Sequence, residues 1–227
     1  AELKSKKDKD DLYHAKPRYG RNVKIYGNSE DPIFMIVFRG DPLGTRRAFV
    51  MDILANTLGV GSSSYLMQKY VKGDKPLLNT ISVGNYNMKK DGVFYIMGEV
   101  LNKVSWDRFY RQFTHDMGKF CELAVDDRSV QKVKNQYLIG YYQELNTNEG
   151  MASFLGTRES LFGDFEYYRQ ELATYASIVP SEVRKVCQDI FTHPQYIALT
   201  VWKNNPMDKS DKDDQKKAKE NTNQQKQ

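Results

Sequence analysis

The chain has 227 residues, enough for one large domain with a full hydrophobic core. Its 34 Lys and Arg exceed its 29 Asp and Glu by only five, and much of that charge sits at the two ends. The remaining surplus is small and scattered, which excludes nucleic acid as a partner, and no apolar stretch approaches the roughly 20 residues that span a bilayer. The ends, residues 1–21 and 203–227, hold too little apolar surface to offset their ordering entropy. They are expected to form a linker or disordered head and a disordered charged tail. With neither an initiator Met nor a signal peptide, the sequence is expected to be a processed chain or an excised piece.

Between these ends, residues 22–202 are expected to form one domain. Ile33–Arg39 (IFMIVFR) is a continuous apolar run bounded by Pro32 and Gly40, the pattern of a buried strand. Ala48–Leu58 is apolar nearly all round and predicts a buried helix ended by Gly59 and Gly61. Ser62–Ser64 can cap a second helix through about Val71. Two strands, Leu77–Tyr86 and Val93–Val100, follow, with Asp91-Gly92 as the hairpin signal between them.

The second half reads as helical. Ser105 caps a stripe from Trp106 through Phe109, Phe113, Met117, Phe120 and Cys121 to Ala124, predicted as one amphipathic helix. A second stripe runs from Val130 to Leu145, and Thr147 or Asn148 opens a third helix through Leu155. A short helix is expected over Phe165–Tyr175. Another starts at Pro180 and buries Val183, Val186, Cys187, Ile190 and Phe191. Gln195–Trp202 alternates and closes the domain as a strand. The order is α+β, with helices on one face of a largely antiparallel sheet, and not the alternating βαβα of a doubly wound fold.

The motifs exclude more chemistry than they suggest. Gly59-Val60-Gly61-Ser62 follows a helix and lacks the Lys of a phosphate loop, so it reads as a helix–helix turn. His14, His115 and His193 have no histidine neighbour one helical turn away, so this chain is not expected to build a zinc site. Cys121 and Cys187 lie 66 residues apart on apolar faces and are expected as buried free thiols, with a disulfide the lesser alternative. Glu159, Asp164, Glu166 and Glu171 accompany Arg158 and Arg169, which surface ion pairs on helices explain. The tyrosines 141, 142, 167, 168 and 175 suggest aromatic packing ahead of a binding cleft.

The succession IFMIVFRG (33–40), LGVGSSSYLMQKYV (58–71), DGVFYIMGEV (91–100), VQKVKNQYLIGYYQ (130–143), GMASFLGTRESLFGD (150–164) and YASIVPSEVRKVCQDIF (175–191) before YIALTVW (196–202) resembles one half of a pitrilysin/insulinase-type (M16, mitochondrial-processing-peptidase-like) metallopeptidase. The resemblance implies one half-unit of a chamber enclosed by two or four such units. In that family the N-terminal half carries an inverted HxxEH zinc motif and the C-terminal half an Arg and a Tyr that help bind substrate. This chain has no HxxEH and resembles the metal-free half.

No catalytic or metal residue and no cofactor is then expected in this chain, with zinc only in a partner half. The implied partner is an HxxEH-bearing half-domain or a homologous subunit, with peptide as a possible ligand. The Arg and Tyr positions fall within YVKGDKPLLNTISV (70–83), where Val71 stands near the first and Leu78, Asn79 or Thr80 near the second. Lys72 and Lys75 offer charge but not a planar guanidinium. The candidate substrate-binding residues are therefore Val71, Lys72, Asn79 and Thr80. The implied function is the non-catalytic wall of a peptide-binding chamber, the alternative being a structural or assembly subunit with no role in proteolysis. A bacterial periplasmic or envelope location is expected from the family.

Overall fold

Strand β1 (Arg21–Tyr26) has no counterpart in the sequence reading, which starts the sheet at Ile33. Its only apolar signal is Val23 and Ile25, and its partner lies at the far end of the chain. This computed structural model describes residues 21–26, 32–101, 104–192 and 196–202. The expected tail, and the expected head apart from Arg21, lie outside the described residues.

Strand β2 (Ile33–Gly40) is followed by helix α1 (Arg46–Gly59), a π turn (Met67–Val71), and the hairpin strands β3 (Leu78–Asn87) and β4 (Gly92–Val100). Helices α2 (Trp106–Met117), α3 (Phe120–Ala124), α4 (Asp127–Glu144) and α5 (Asn148–Phe162) come next. A 3-10 turn (Phe165–Tyr167), α6 (Tyr168–Ser177), α7 (Pro180–Phe191) and β5 (Tyr196–Trp202) complete the order. The sheet runs β1-β5-β2-β4-β3, antiparallel except for the β1–β5 pair, so β1 and β3 form its edges.

The alternation of β2 decides the layers. Phe34, Ile36 and Phe38 are buried while Ile33, Met35, Val37 and Arg39 are not, so one face of the sheet carries the core. α1 lies on that face with Val50, Met51, Ile53, Leu54 and Leu58 fully buried. Its last residue, Gly59, meets Val83 of β3 so closely that a Cβ would overlap that side chain, which is why the helix ends on glycine there. α2 adds Trp106, Phe109 and Phe113, ringed by Phe34 and Tyr70. α7 sets Phe191 against Phe38 and Phe94. A continuous aromatic core therefore runs from the sheet into the helical layer.

Local chemistry matches the sequence reading at several ends. Ser105 accepts from Arg108 N, Thr147 from Gly150 N, and Pro180 sits in the first turn of α7. Ser64 does not act as a cap, because its buried hydroxyl finds no partner among the described residues.

Two expectations are corrected. The stripe from Trp106 to Ala124 is not one helix, because the chain turns at Gly118-Lys119, where Lys119 N bonds Asp116 O. That turn re-aims Phe120 and Cys121 toward α7. As a result Cys121 and Cys187 are not free thiols. They form a disulfide with Cα atoms 5.5 Å apart, a proximity created by packing α3 on α7 and invisible at a separation of 66 residues.

Candidate functional site

The segment expected to hold substrate lies at the β3 edge. Leu77 N bonds Tyr70 O at 2.9 Å and Leu101 N bonds Leu77 O, fastening both ends of the loop after the π turn. Val71 ends that turn, half-buried against the core, while Lys72 is exposed. The β3–β4 register shifts between Leu78 and Thr80, which makes half-buried Asn79 the extra residue of a bulge. Thr80 is exposed opposite Glu99. Val71, Lys72, Asn79 and Thr80 thus share one corner of the domain, with the π turn packed on β3.

Beside that corner a cleft of about 240 Å³ is lined by Lys69, Lys75, Arg108, Tyr70 and Asp116. Asp116 accepts from Tyr70 Oη at 2.9 Å, Lys69 Nζ at 2.9 Å and Gln112 Nε2 at 3.0 Å. Burial alone would raise its pKa, yet these donors outweigh burial and hold the carboxyl below its usual value. His115 beside it stays exposed. The two therefore do not converge as a ligand pair, and no group of three His, Cys, Asp or Glu among the described residues could hold a metal ion. The described residues do not fit zinc. His14 and His193 lie outside the described residues.

The sheet face turned away from the helices is apolar along its middle, with Glu99, Thr80 and Ser82 among its polar members. Met35 is flanked by Met97 and Leu199, Val37 by Tyr95 and Ile197, and Ile33 by Val201. Ile33 is exposed and the others are half-buried. Gly84 opposes Tyr95, and a Cβ there would overlap the tyrosine ring. Glycine lets that ring lie flat across the sheet.

On the helical side, α1, α4, α5 and α6 enclose a second cleft of about 400 Å³. Asp52 of α1 accepts from Tyr175 Oη and Asn85 Nδ2, both at 2.8 Å. Burial is the main cause that lifts its pKa to about 6, against the lowering effect of those two bonds. Tyr137 stacks on Tyr175 with centroids 4.4 Å apart. Glu171 accepts from Arg158 Nε at 2.7 Å and Tyr141 Oη at 2.9 Å.

The expectation of surface ion pairs here holds only for Arg169–Glu166, which is exposed. Arg158–Glu171 is nearly buried, with 14% and 12% of their side chains accessible. Tyr141 and Tyr175 pack as favoured from the sequence and also line this cleft, while Tyr142 is exposed. Asp52 was missed. Its signal was one acid inside the apolar stretch AFVMDILA (48–55) of this helix.

The peptidase M16 inactive-domain family model matches residues 3–137. No curated protein matches the chain at a significant level. Among solved structures, a protease from Helicobacter pylori superposes with a TM-score of 0.72 at 14% identity, over 81% of this chain and 44% of that one. The inactive peptidase domain from Bordetella parapertussis gives 0.68 at 10% identity, over 82% of this chain and 98% of that one. A chain of complex III2 from Candida albicans gives 0.62 at 12% identity, over 81% and 46%. The chain therefore spans less than half the length of the Helicobacter protease it resembles.

Proposed function

This chain belongs to the peptidase M16 inactive-domain family, and from that premise we propose that it is the non-catalytic half of a zinc-peptidase-like protein, walling a peptide-binding chamber with an HxxEH-bearing partner half. The observation that carries the reading is the open sheet face. Met35, Val37, Tyr95, Met97, Ile197 and Leu199 form a contiguous apolar strip that stays half-buried and partly accessible, beside exposed Ile33. A partner half covering part of that face would bury it. The backbone edge of β3, which pairs with no other described strand, would then be available to an extended peptide by strand addition.

The Cys121–Cys187 disulfide suits an oxidising compartment, in keeping with an envelope location.

One observation favours the assembly reading instead. By the family resemblance Val71 stands near the Arg position and Leu78, Asn79 or Thr80 near the Tyr position, and none of them supplies a charge for a charge-assisted bond. Mass measurement of the intact assembly purified through this chain separates the two. The chamber reading expects an HxxEH-bearing chain to copurify and to be released by Val37→Asp with Met97→Asp. A complex without such a chain, or a monomer at every concentration, overturns it.

A further inference from the structure

The cleft between α1, α4, α5 and α6 has an excess of hydrogen-bond acceptors and negative charge. Asp52, Glu144 and Glu171 line it against a single guanidinium, that of Arg158. Arg158 is already engaged. It bonds Glu171 and Phe154 O, and its guanidinium lies 3.5 Å from the centroid of the Phe154 ring. Asp52 has only neutral partners, Tyr175 and Asn85.

Two further acceptors stay unused. Asn87 Oδ1, in a residue lining the cleft, and Asn85 Oδ1, next to Asp52, are both buried and accept no hydrogen bond from the described residues. The Asn85 amide orientation is set by its nitrogen, which donates to both Ala48 O and Asp52 Oδ1. Aromatic rings supply the walls. Tyr137 and Tyr175 stack nearly parallel, Phe49 meets Tyr175 edge-on, and Tyr141 completes the lining.

A largely buried carboxylate with only neutral partners among the described residues, an unpaired amide oxygen of the lining residue Asn87 and aromatic walls call for a ligand that only donates, carries positive charge and stacks flat. A guanidinium meets all three demands, with five N–H donors, a permanent charge and a planar face. We propose that this cleft binds a guanidinium group on an alkyl stem, of the arginine side-chain class, with Asp52 as its charge partner and the Tyr137–Tyr175 pair as its stacking wall. The proposal does not rest on the chamber reading, since the cleft is in the helical layer and not on the open sheet face.

The test is an NMR titration of the full chain with Nα-acetylarginine amide, agmatine and the neutral isostere Nα-acetylcitrulline amide. The expected result is saturable shifts around Ala48 and Gly140 for the cations, with citrulline weaker by at least about tenfold, as loss of a charge-assisted bond predicts. Agmatine binding without acetylarginine amide would put the alkylammonium and not the guanidinium in the cleft, and overturns the proposal.

Asp52→Asn should weaken binding by a similar factor. Gly140→Leu should abolish it while leaving the fold intact, because Gly140 lines the cleft and a Cβ there meets no atom within 4 Å. Binding should also weaken as pH falls below about 6, where Asp52 gains its proton. Glu171 from α6, Tyr137 from α4 and Tyr175 from α6 are the titratable groups facing it. Equal binding of citrulline, no saturation by either cation, or binding that survives both Asp52→Asn and Gly140→Leu overturns the proposal.

Discussion

Tyr175 donates its phenolic hydrogen to Asp52 at 2.8 Å, tying α6 to α1 across 123 positions of sequence. The bond does not make the carboxylate comfortable. Burial outweighs it and lifts the Asp52 pKa from 3.8 to about 6.

The sign of the resulting pH dependence follows directly. The folded state holds this proton more tightly than the unfolded chain, so the stabilisation is complete below about pH 4 and is lost as pH rises through about 6. The loss is on the order of 3 kcal/mol. Urea melts of the wild type and Asp52→Asn across this range should show the variant without that slope and at least as stable near neutrality. Parallel pH profiles for the two proteins would remove Asp52 from the account.

Arg158→Ala should cost ~3 kcal/mol, because it strands the Glu171 carboxylate in a nearly buried site with Tyr141 as its remaining donor. Arg158→Lys should recover only part of this, since an ammonium cannot serve Glu171 and Phe154 O while lying flat on the Phe154 ring. Denaturant midpoints of the three proteins give the answer, and a change below ~0.5 kcal/mol in Arg158→Ala would contradict the role assigned to this pair.

Cys121→Ser with Cys187→Ser should lower stability by ~2–4 kcal/mol, because the bridge closes a loop of 66 residues' separation that would otherwise gain entropy on unfolding. The melting temperature should fall by roughly 5–15 °C. Peptide mapping without reductant should recover residues 121 and 187 in one cross-linked fragment.

The chain by itself should retain far less than one equivalent of zinc after dialysis against micromolar zinc. Its described carboxylates and histidine do not converge on a common point. A full equivalent lost on His115→Ala would overturn this.

Assembled with an HxxEH-bearing half, the chain should support little peptidase activity, since Val71 offers no hydrogen bond and Asn79 is a short neutral group on a bulge. Losing the family's charge-assisted contact corresponds to a ten- to hundredfold loss of rate. Brisk cleavage that Val71→Ala and Asn79→Ala leave unchanged would move the substrate clamp away from residues 70–83.

Most of the fold was legible because its signals are local. Pro32 and Gly40 bracket β2, Ser105 and Thr147 announce the helices they cap, and the stripe Val183–Phe191 marks the buried face of α7. The candidate clamp was legible only as a location, since aligning it with a family motif says nothing of the bulge that displaces Asn79. Strand β1 escaped because a six-residue strand with two core-type residues gets its stability from pairing with β5 and not from its own pattern.

From its sequence alone this protein declared an α+β order, the apolar runs and stripes of most elements and the absence of an HxxEH motif, all of which depend on spacings of a few residues. Tertiary structure alone decided that Cys121 meets Cys187, that Arg158 is buried on Glu171, and that Asp52, Tyr137 and Tyr175 share one cleft. Those contacts join residues from 13 to 123 positions apart. Their partners are chosen by how whole helices pack, which local periodicity constrains in direction but not in distance.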